Sequence, residues 1–141
     1  MAAVDTKLEM LRGVPLFAAM KQRDLEAVER LADTVDLPAG QTLMRQGATG
    51  NEMFVIASGS VSVDRNGNEV ATLGPGEVVG EMALLSEGPR LATVTTLEPT
   101  TVFVLGHREF HTLLEDSSEL RQCIFDSLAK RIRVIDADAP H

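Results

Sequence analysis

The chain contains no tryptophan and no tyrosine, and only five phenylalanines. Platforms that stack the bases of single-stranded nucleic acid need aromatic faces in number, so that class is excluded first. Basic residues are also few. Thirteen Lys and Arg stand against twenty-one Asp and Glu, a formal net charge of −8. A surface that tracks a phosphate backbone is basic, so direct nucleic-acid binding is not expected. The deficit does not exclude one small anion held in a local pocket. The single cysteine, Cys123, leaves no intrachain disulfide and makes a reducing, cytoplasmic setting the expectation. No apolar run reaches the length of a membrane span, and the opening MAAVDTKLEM has no apolar core of signal-peptide length, so no membrane partner is expected.

Histidine is scarce as well. His107 and His111 stand four apart and could share a helix face, while His141 ends the chain. Two imidazoles do not close a zinc site, and no cysteine or third histidine lies near them, so they read as surface and no metal is expected. A metal enzyme of the cupin type would carry its histidines on strands, and a serine hydrolase would carry a nucleophile-elbow sequence; neither pattern is present. Catalysis is the weakest of the function classes considered.

What is present is an ordinary globular composition: 141 residues, 44% hydrophobic and 24% charged, enough for one domain with a sizeable core. Residues 1–13 read as a loose start and a short helix touching the core through Leu8, Met10 and Leu11. Gly13 and Pro15 interrupt it, and Val14 to Phe17 form an apolar knot. From about Gln22 to Ala32, Leu25, Val28, Leu31 and Ala32 share one helical face. Short β-type runs then follow near Val35–Leu37, Gln41–Arg45, Met53–Ser58, Ser60–Val63, Glu69–Leu73, Val78–Val79, Ala92–Thr96 and Thr101–Leu105. Asn66-Gly67 between two of them is a hairpin signal, because both residues tolerate positive φ. Gly106 breaks the pattern. A short helix is predicted over Arg108–Leu114, then a cap at Asp116, Ser117 or Ser118 and a helix from Glu119 to about Val134. Its stripe is Leu120, Ile124, Leu128, Ile132 and Ile135, and Lys130, Arg131 and Arg133 suit the negative end of its dipole. Short strands at close spacing with such turns, between helices at both ends, make the fold class α+β, mainly β, and suggest a jelly-roll or barrel.

One stretch carries chemistry: Gly80 to Val94, GEMALLSEGPRLATV. Gly80 permits close backbone approach. Glu81 to Leu85 can make a helical turn whose leading N–H groups favour an anion. Gly88 and Pro89 stop the turn. Arg90 offers a planar charged fork suited to phosphate oxygens, and Glu81 accepts hydrogen bonds from hydroxyls. A ligand bearing both a phosphate and a sugar hydroxyl satisfies the set.

This stretch resembles the phosphate-binding cassette of the cyclic nucleotide-binding domain, the module of protein kinase A regulatory subunits, catabolite activator proteins and cyclic-nucleotide-gated channels. The family reads G-E-(L/M)-A-L, then P-R-x-A-(T/S)-V; here Gly80, Glu81, Met82, Ala83 and Leu84 precede Pro89, Arg90, Leu91, Ala92, Thr93 and Val94. A second family pattern is matched by Gly50, Phe54, Ile56, Gly59 and Val61, with Asn51 in place of the usual acid. Leu91 departs from the family's small or hydroxyl residue. The resemblance implies cyclic AMP as ligand, with no further cofactor: Glu81 on the ribose 2′-hydroxyl, Arg90 on the cyclic phosphate, and Gly80, Met82, Ala83, Leu91 and Ala92 around them. Val63, Leu73, Val79 and Thr93 are further candidates, and Val61 is placed near the sugar and base. It also implies an eight-stranded antiparallel β-roll (jelly-roll) flanked by N-terminal and C-terminal helices, a non-catalytic sensor over residues 14–135, with 1–13 as a leading segment and 136–141 as a frayed tail. The last helix would close over the base, and an effector domain or partner protein would be regulated. Alternatives are a ligand-free structural or protein-interaction β-roll, and the sensor part of a transcription regulator or channel. The six residues after Ile135 are too few for a helix-turn-helix. Oligomeric state is left open.

Overall fold

The computed structural model describes residues 2–86, 88–126 and 129. Helix α1 (Ala2–Arg12) leads through a 3-10 turn (Pro15–Phe17) to α2 (Gln22–Leu31). The strands follow: β1 (Asp33–Leu37), β2 (Thr42–Met44), β3 (Thr49–Gly50), β4 (Glu52–Ser58), β5 (Val61–Arg65), β6 (Asn68–Leu73) and β7 (Val78–Val79). A second 3-10 turn (Glu81–Leu84) separates these from β8 (Gly88–Pro89), β9 (Thr93–Thr96) and β10 (Thr100–Gly106). Helix α3 (His107–Glu115) and a helix α4 over residues 118–126 complete the described chain. No described helix is long and apolar enough to cross a membrane.

Two antiparallel four-stranded sheets, in the orders β1-β10-β4-β7 and β2-β9-β5-β6, face each other as a roll. All eight expected strands are present within two residues of their expected ends. The additional pair, β3 and β8, corrects the reading of Gly88-Pro89 as a stop: Thr49 pairs with Pro89 and Gly50 with Gly88. Strands of two residues have no alternation to read, and Pro is tolerated at such an edge. The β5–β6 hairpin turns at Asn66 and Gly67 with φ of 56° and 83°, as their side chains allow.

Period-two alternation splits the core in two. From β4, Phe54 and Ile56 point into the roll with Met44, Val61, Val79, Val94 and Val102. Met53 and Val55 of the same strand point the other way, with Phe103 and Leu105 of β10, onto the helices. There they meet Leu11, Leu16, Phe17, Leu25, Val28, Leu84 and Phe110. Phe17 and Phe110 pack with ring centroids 5.7 Å apart. Each large side chain fully buried this way stabilises the fold by about 1.5–3 kcal/mol.

Of the three candidate caps for the last helix, Ser117 is the one used, its Oγ accepting from the Leu120 N–H at 3.1 Å. Leu120 and Ile124, 1% and 3% exposed, join the helix-side core. These two described residues of the stripe are therefore packed structure. Leu128, Ile132, Ile135 and the basic residues Lys130, Arg131 and Arg133 lie outside the described residues. A Lys21–Glu119 ion pair ties the start of α2 to α4.

Candidate functional site

Strand β7 is followed by Gly80, whose φ of 76° and ψ of 19° are left-handed. A side chain is excluded there twice. The conformation disfavours one, and an added Cβ would come within 2.8 Å of Arg90 Nη1 and 2.9 Å of the Glu52 carbonyl oxygen. The chain then turns through Glu81–Leu84, with Ala83 and Leu84 buried and Glu81 and Met82 at the surface of the turn.

Arg90 follows β8 directly. Its backbone N–H donates to the Ala48 carbonyl, and its own carbonyl accepts from Gly47, both at 2.8 Å. The β3–β8 pairing thus continues past the strands and holds Arg90 by its main chain. Its guanidinium lies over Gly50 and donates from Nη2 to the Glu52 carbonyl at 2.8 Å. Burial pushes the guanidinium below the ordinary arginine value, and the nearby Glu52 carboxylate opposes that shift. A cation partly stripped of water and bonded to a neutral carbonyl gains from an arriving anion.

Glu81 points back toward the N-terminal helices. Its Oε2 accepts from the Leu16 backbone N–H at 3.2 Å, supplying an acceptor to the Pro15–Phe17 turn, whose own first N–H groups have none inside it.

Between these groups lies a cavity of about 550 Å³. Gly80, Glu81, Met82, Ala83, Arg90, Leu91 and Ala92 all line it, as do Val63 and Val79. Leu73 and Thr93 are not among its lining residues. Leu73 packs against the inner core, and Thr93 Oγ1 accepts from the Gln46 N–H at 3.0 Å. Val61, fully buried in the inner core, is not a lining residue either. Leu91 and Met82, 73% and 52% exposed, form an apolar rim. Sequence reasoning missed Met44, Gly50, Val78, Ser86, Gly88, Pro89 and Val94 as lining. Met44 and Val94 follow from the inward alternation of β2 and β9, whereas Gly50 and Ser86 depend on how the loops meet. Among the described lining residues, Glu81 and Arg90 are the charged ones.

The histidines depart from their reading as surface. His107 Nδ1 lies 2.9 Å from the Ala83 carbonyl, and the His107 and His111 rings stack 4.1 Å apart, half-buried. The carbonyl accepts, so Nδ1 carries the proton of this bond. His107 is the first residue of α3, so its bond to Ala83 ties the start of that helix to the Glu81–Leu84 turn. Among the described residues no group of three or more His, Cys, Asp or Glu side chains could hold a metal ion.

Comparison with known proteins agrees with this geometry. Over 131 residues the chain is 36% identical to a cyclic nucleotide-gated potassium channel of Mesorhizobium japonicum, covering 93% of this chain and 36% of the channel. It is 30% identical over 133 residues to the cyclic AMP receptor protein of Thermus thermophilus, covering 91% of this chain and 62% of that protein. The chain thus spans less than two thirds of either curated relative. The N-terminal domain of a transcriptional regulator from Streptomyces coelicolor superposes with a TM-score of 0.86 at 30% identity, covering 94% of this chain and 98% of that one. The regulatory domain of Toxoplasma gondii protein kinase A, solved with cyclic AMP, superposes with a TM-score of 0.76 at 28% identity, covering 99% of this chain and 55% of that one. The model of the cyclic nucleotide-binding domain matches residues 34–117, most of the roll and all of the Gly80–Val94 stretch, and the chain belongs to that family.

Proposed function

We propose that this domain is a cytoplasmic sensor that binds cyclic AMP in preference to cyclic GMP and passes its occupancy to an effector domain or partner protein. The observation that supports this reading is the company that Arg90 and Glu81 keep. A phosphate fork and a hydroxyl acceptor line one cavity whose remaining wall, including Met44, Val63, Val79 and Val94, is largely apolar. Its volume of about 550 Å³ falls in the range of small-molecule sites, which fix orientation with a few polar groups among apolar ones. In this reading Arg90 takes the cyclic phosphate, replacing a neutral carbonyl partner with an anion. Glu81 takes the ribose 2′-hydroxyl, and the base rests toward Leu91 and Met82.

The chain beyond residue 126 continues the apolar stripe with Leu128, Ile132 and Ile135. In the proposed mechanism this part covers the bound base, and ligand shifts the population toward the covered state. The experiment is competition of cyclic AMP and cyclic GMP against a fluorescent cyclic nucleotide on the purified protein. Saturable displacement, tighter for cyclic AMP, supports the reading. An analogue that does not bind, with neither nucleotide showing heat in calorimetry, refutes it.

A further inference from the structure

Gly50 is one of the lining residues that no chemical group announces. An ideal Cβ built on it would lie 1.9 Å from Arg90 Nε, 2.3 Å from Cζ and 2.6 Å from Nη2, and these are its three nearest atoms. Ordinary contact needs about 3.5 Å, so the guanidinium would have to move by roughly 1.5 Å. That displacement is large enough to break its 2.8 Å bond to the Glu52 carbonyl. Gly50 is not in the left-handed region, so its backbone conformation does not itself require glycine. Gly88, its partner across the β3–β8 ladder, is not among the three atoms nearest to the added Cβ, which all belong to Arg90. The missing side chain at position 50 therefore has one structural consequence: it opens the slot in which the Arg90 guanidinium lies.

We propose that Gly50 is the positioning residue of the anion-binding arm, the floor of a glycine slot that aims Arg90 at the phosphate of the ligand. Three contacts define the slot. Gly50 lies against Nε and Cζ of the guanidinium, Gly80 lies at its Nη1 edge, and the Glu52 carbonyl takes its Nη2 proton. Only Gly50 can be given a side chain without backbone strain, because Gly80 has a positive φ and also approaches the Glu52 main chain. The groups that must yield to a Gly50 side chain are the far end of a flexible arginine. The roll should therefore fold normally while its cation points elsewhere. This inference rests on the reading of the cavity as a cyclic nucleotide site, and it adds a residue that touches the arginine from outside the Gly80–Val94 stretch.

The test compares the wild-type protein with Gly50→Ala, Arg90→Ala and the double variant, by calorimetric titration with cyclic AMP and by thermal melting. Gly50→Ala should melt close to wild type and raise the Kd on the order of tenfold to a hundredfold. Added to Arg90→Ala it should change the Kd by less than about twofold, because the group it displaces is already gone. A Gly50→Ala protein that binds like wild type while Arg90→Ala loses affinity overturns the inference and leaves the cyclic nucleotide reading standing. Full additivity of the two substitutions also overturns it. An Arg90→Ala protein that binds like wild type overturns the reading of the site instead. If Gly50→Ala does not fold, or no nucleotide binds, the slot is read in the wild-type protein by nuclear Overhauser contacts between the Gly50 α-protons and the Arg90 Nε proton. Their presence supports the slot, and their absence with the Arg90 side chain assigned overturns it.

Discussion

The carboxylate of Glu81 accepts a hydrogen bond from the backbone N–H of Leu16, 65 positions earlier in the chain. The same side chain lines the cavity. One residue therefore joins the proposed ribose site to the turn that leads from α1 into α2.

Glu81→Ala should cost both ligand and fold. Leaving a partly buried N–H without its acceptor costs about 1–3 kcal/mol, and a domain of this size loses about 2–4 °C of melting temperature per kcal/mol. Cyclic AMP affinity should fall on the order of tenfold or more with the hydroxyl acceptor removed. Glu81→Gln, which retains a carbonyl oxygen, should recover most of the melting temperature and part of the affinity. Melting curves and titrations of the two variants check this. A Glu81→Ala protein with unchanged melting would mean that the Leu16 contact contributes nothing.

Leu91 should set the choice of base. It offers no side-chain acceptor to the exocyclic amino group that distinguishes guanine, and it stands at the cavity rim. Desolvating that amino group without a partner costs about 1–3 kcal/mol, so cyclic AMP should bind roughly ten- to a hundredfold tighter than cyclic GMP. Leu91→Thr should narrow the gap, mainly by improving cyclic GMP. Competition assays read the ratio directly, and a ratio that does not move would remove Leu91 from the account.

The position of truncation should separate packing from covering. Ending the chain at Glu115 removes Leu120 and Ile124 from the core around Phe17 and Phe110, and should destabilise the fold severely. Loss of one large buried side chain alone costs about 2–5 kcal/mol. Ending it after residue 126 retains those contacts. That shorter protein should stay folded and bind cyclic AMP more weakly, if the remainder of the helix covers the base. Unchanged affinity would exclude a covering role.

The Lys21–Glu119 pair should leave a pH signature. The hydrogen bond from Lys21, then its charge, holds the Glu119 carboxyl below the ordinary glutamate value of 4.5. A carboxyl depressed in the folded state stabilises above its unfolded value, and the contribution is lost as pH falls through the folded value. The melting difference between wild type and Glu119→Gln should therefore be small and constant near neutrality and vanish in the acid range below about pH 4.5. Both groups are exposed, so salt should shrink it as well. A difference that grows toward acid pH would contradict this assignment.

The roll was legible because alternation is local. Val61, Val63, Phe54, Ile56 and Val94 report their faces within a few residues, and Asn66-Gly67 reports its turn in two. The Gly80–Val94 stretch was legible because its residue types are unusual at that spacing. What escaped the sequence lies between segments. Gly50 gives no sign that Arg90 rests on it, since the contact arises only when β3 pairs with β8. Leu16 donates a backbone N–H, which every residue but proline has, so its bond to Glu81 carries no residue signature. His107 and His111 read as an exposed pair because the Ala83 carbonyl that His107 meets belongs to another part of the chain.

Calorimetric titration of cyclic AMP into wild type and Arg90→Ala decides whether Arg90 and Glu81 frame a cyclic nucleotide site. A charge-assisted bond to phosphate contributes about 1.5–3 kcal/mol, and truncating a buried charge partner costs roughly 2–5 kcal/mol. The wild-type protein should bind saturably. The variant should lose on the order of tenfold to a thousandfold in affinity, with its melting temperature nearly unchanged. Equal affinities in the two proteins, or no binding to a folded wild type, would contradict that assignment of the site.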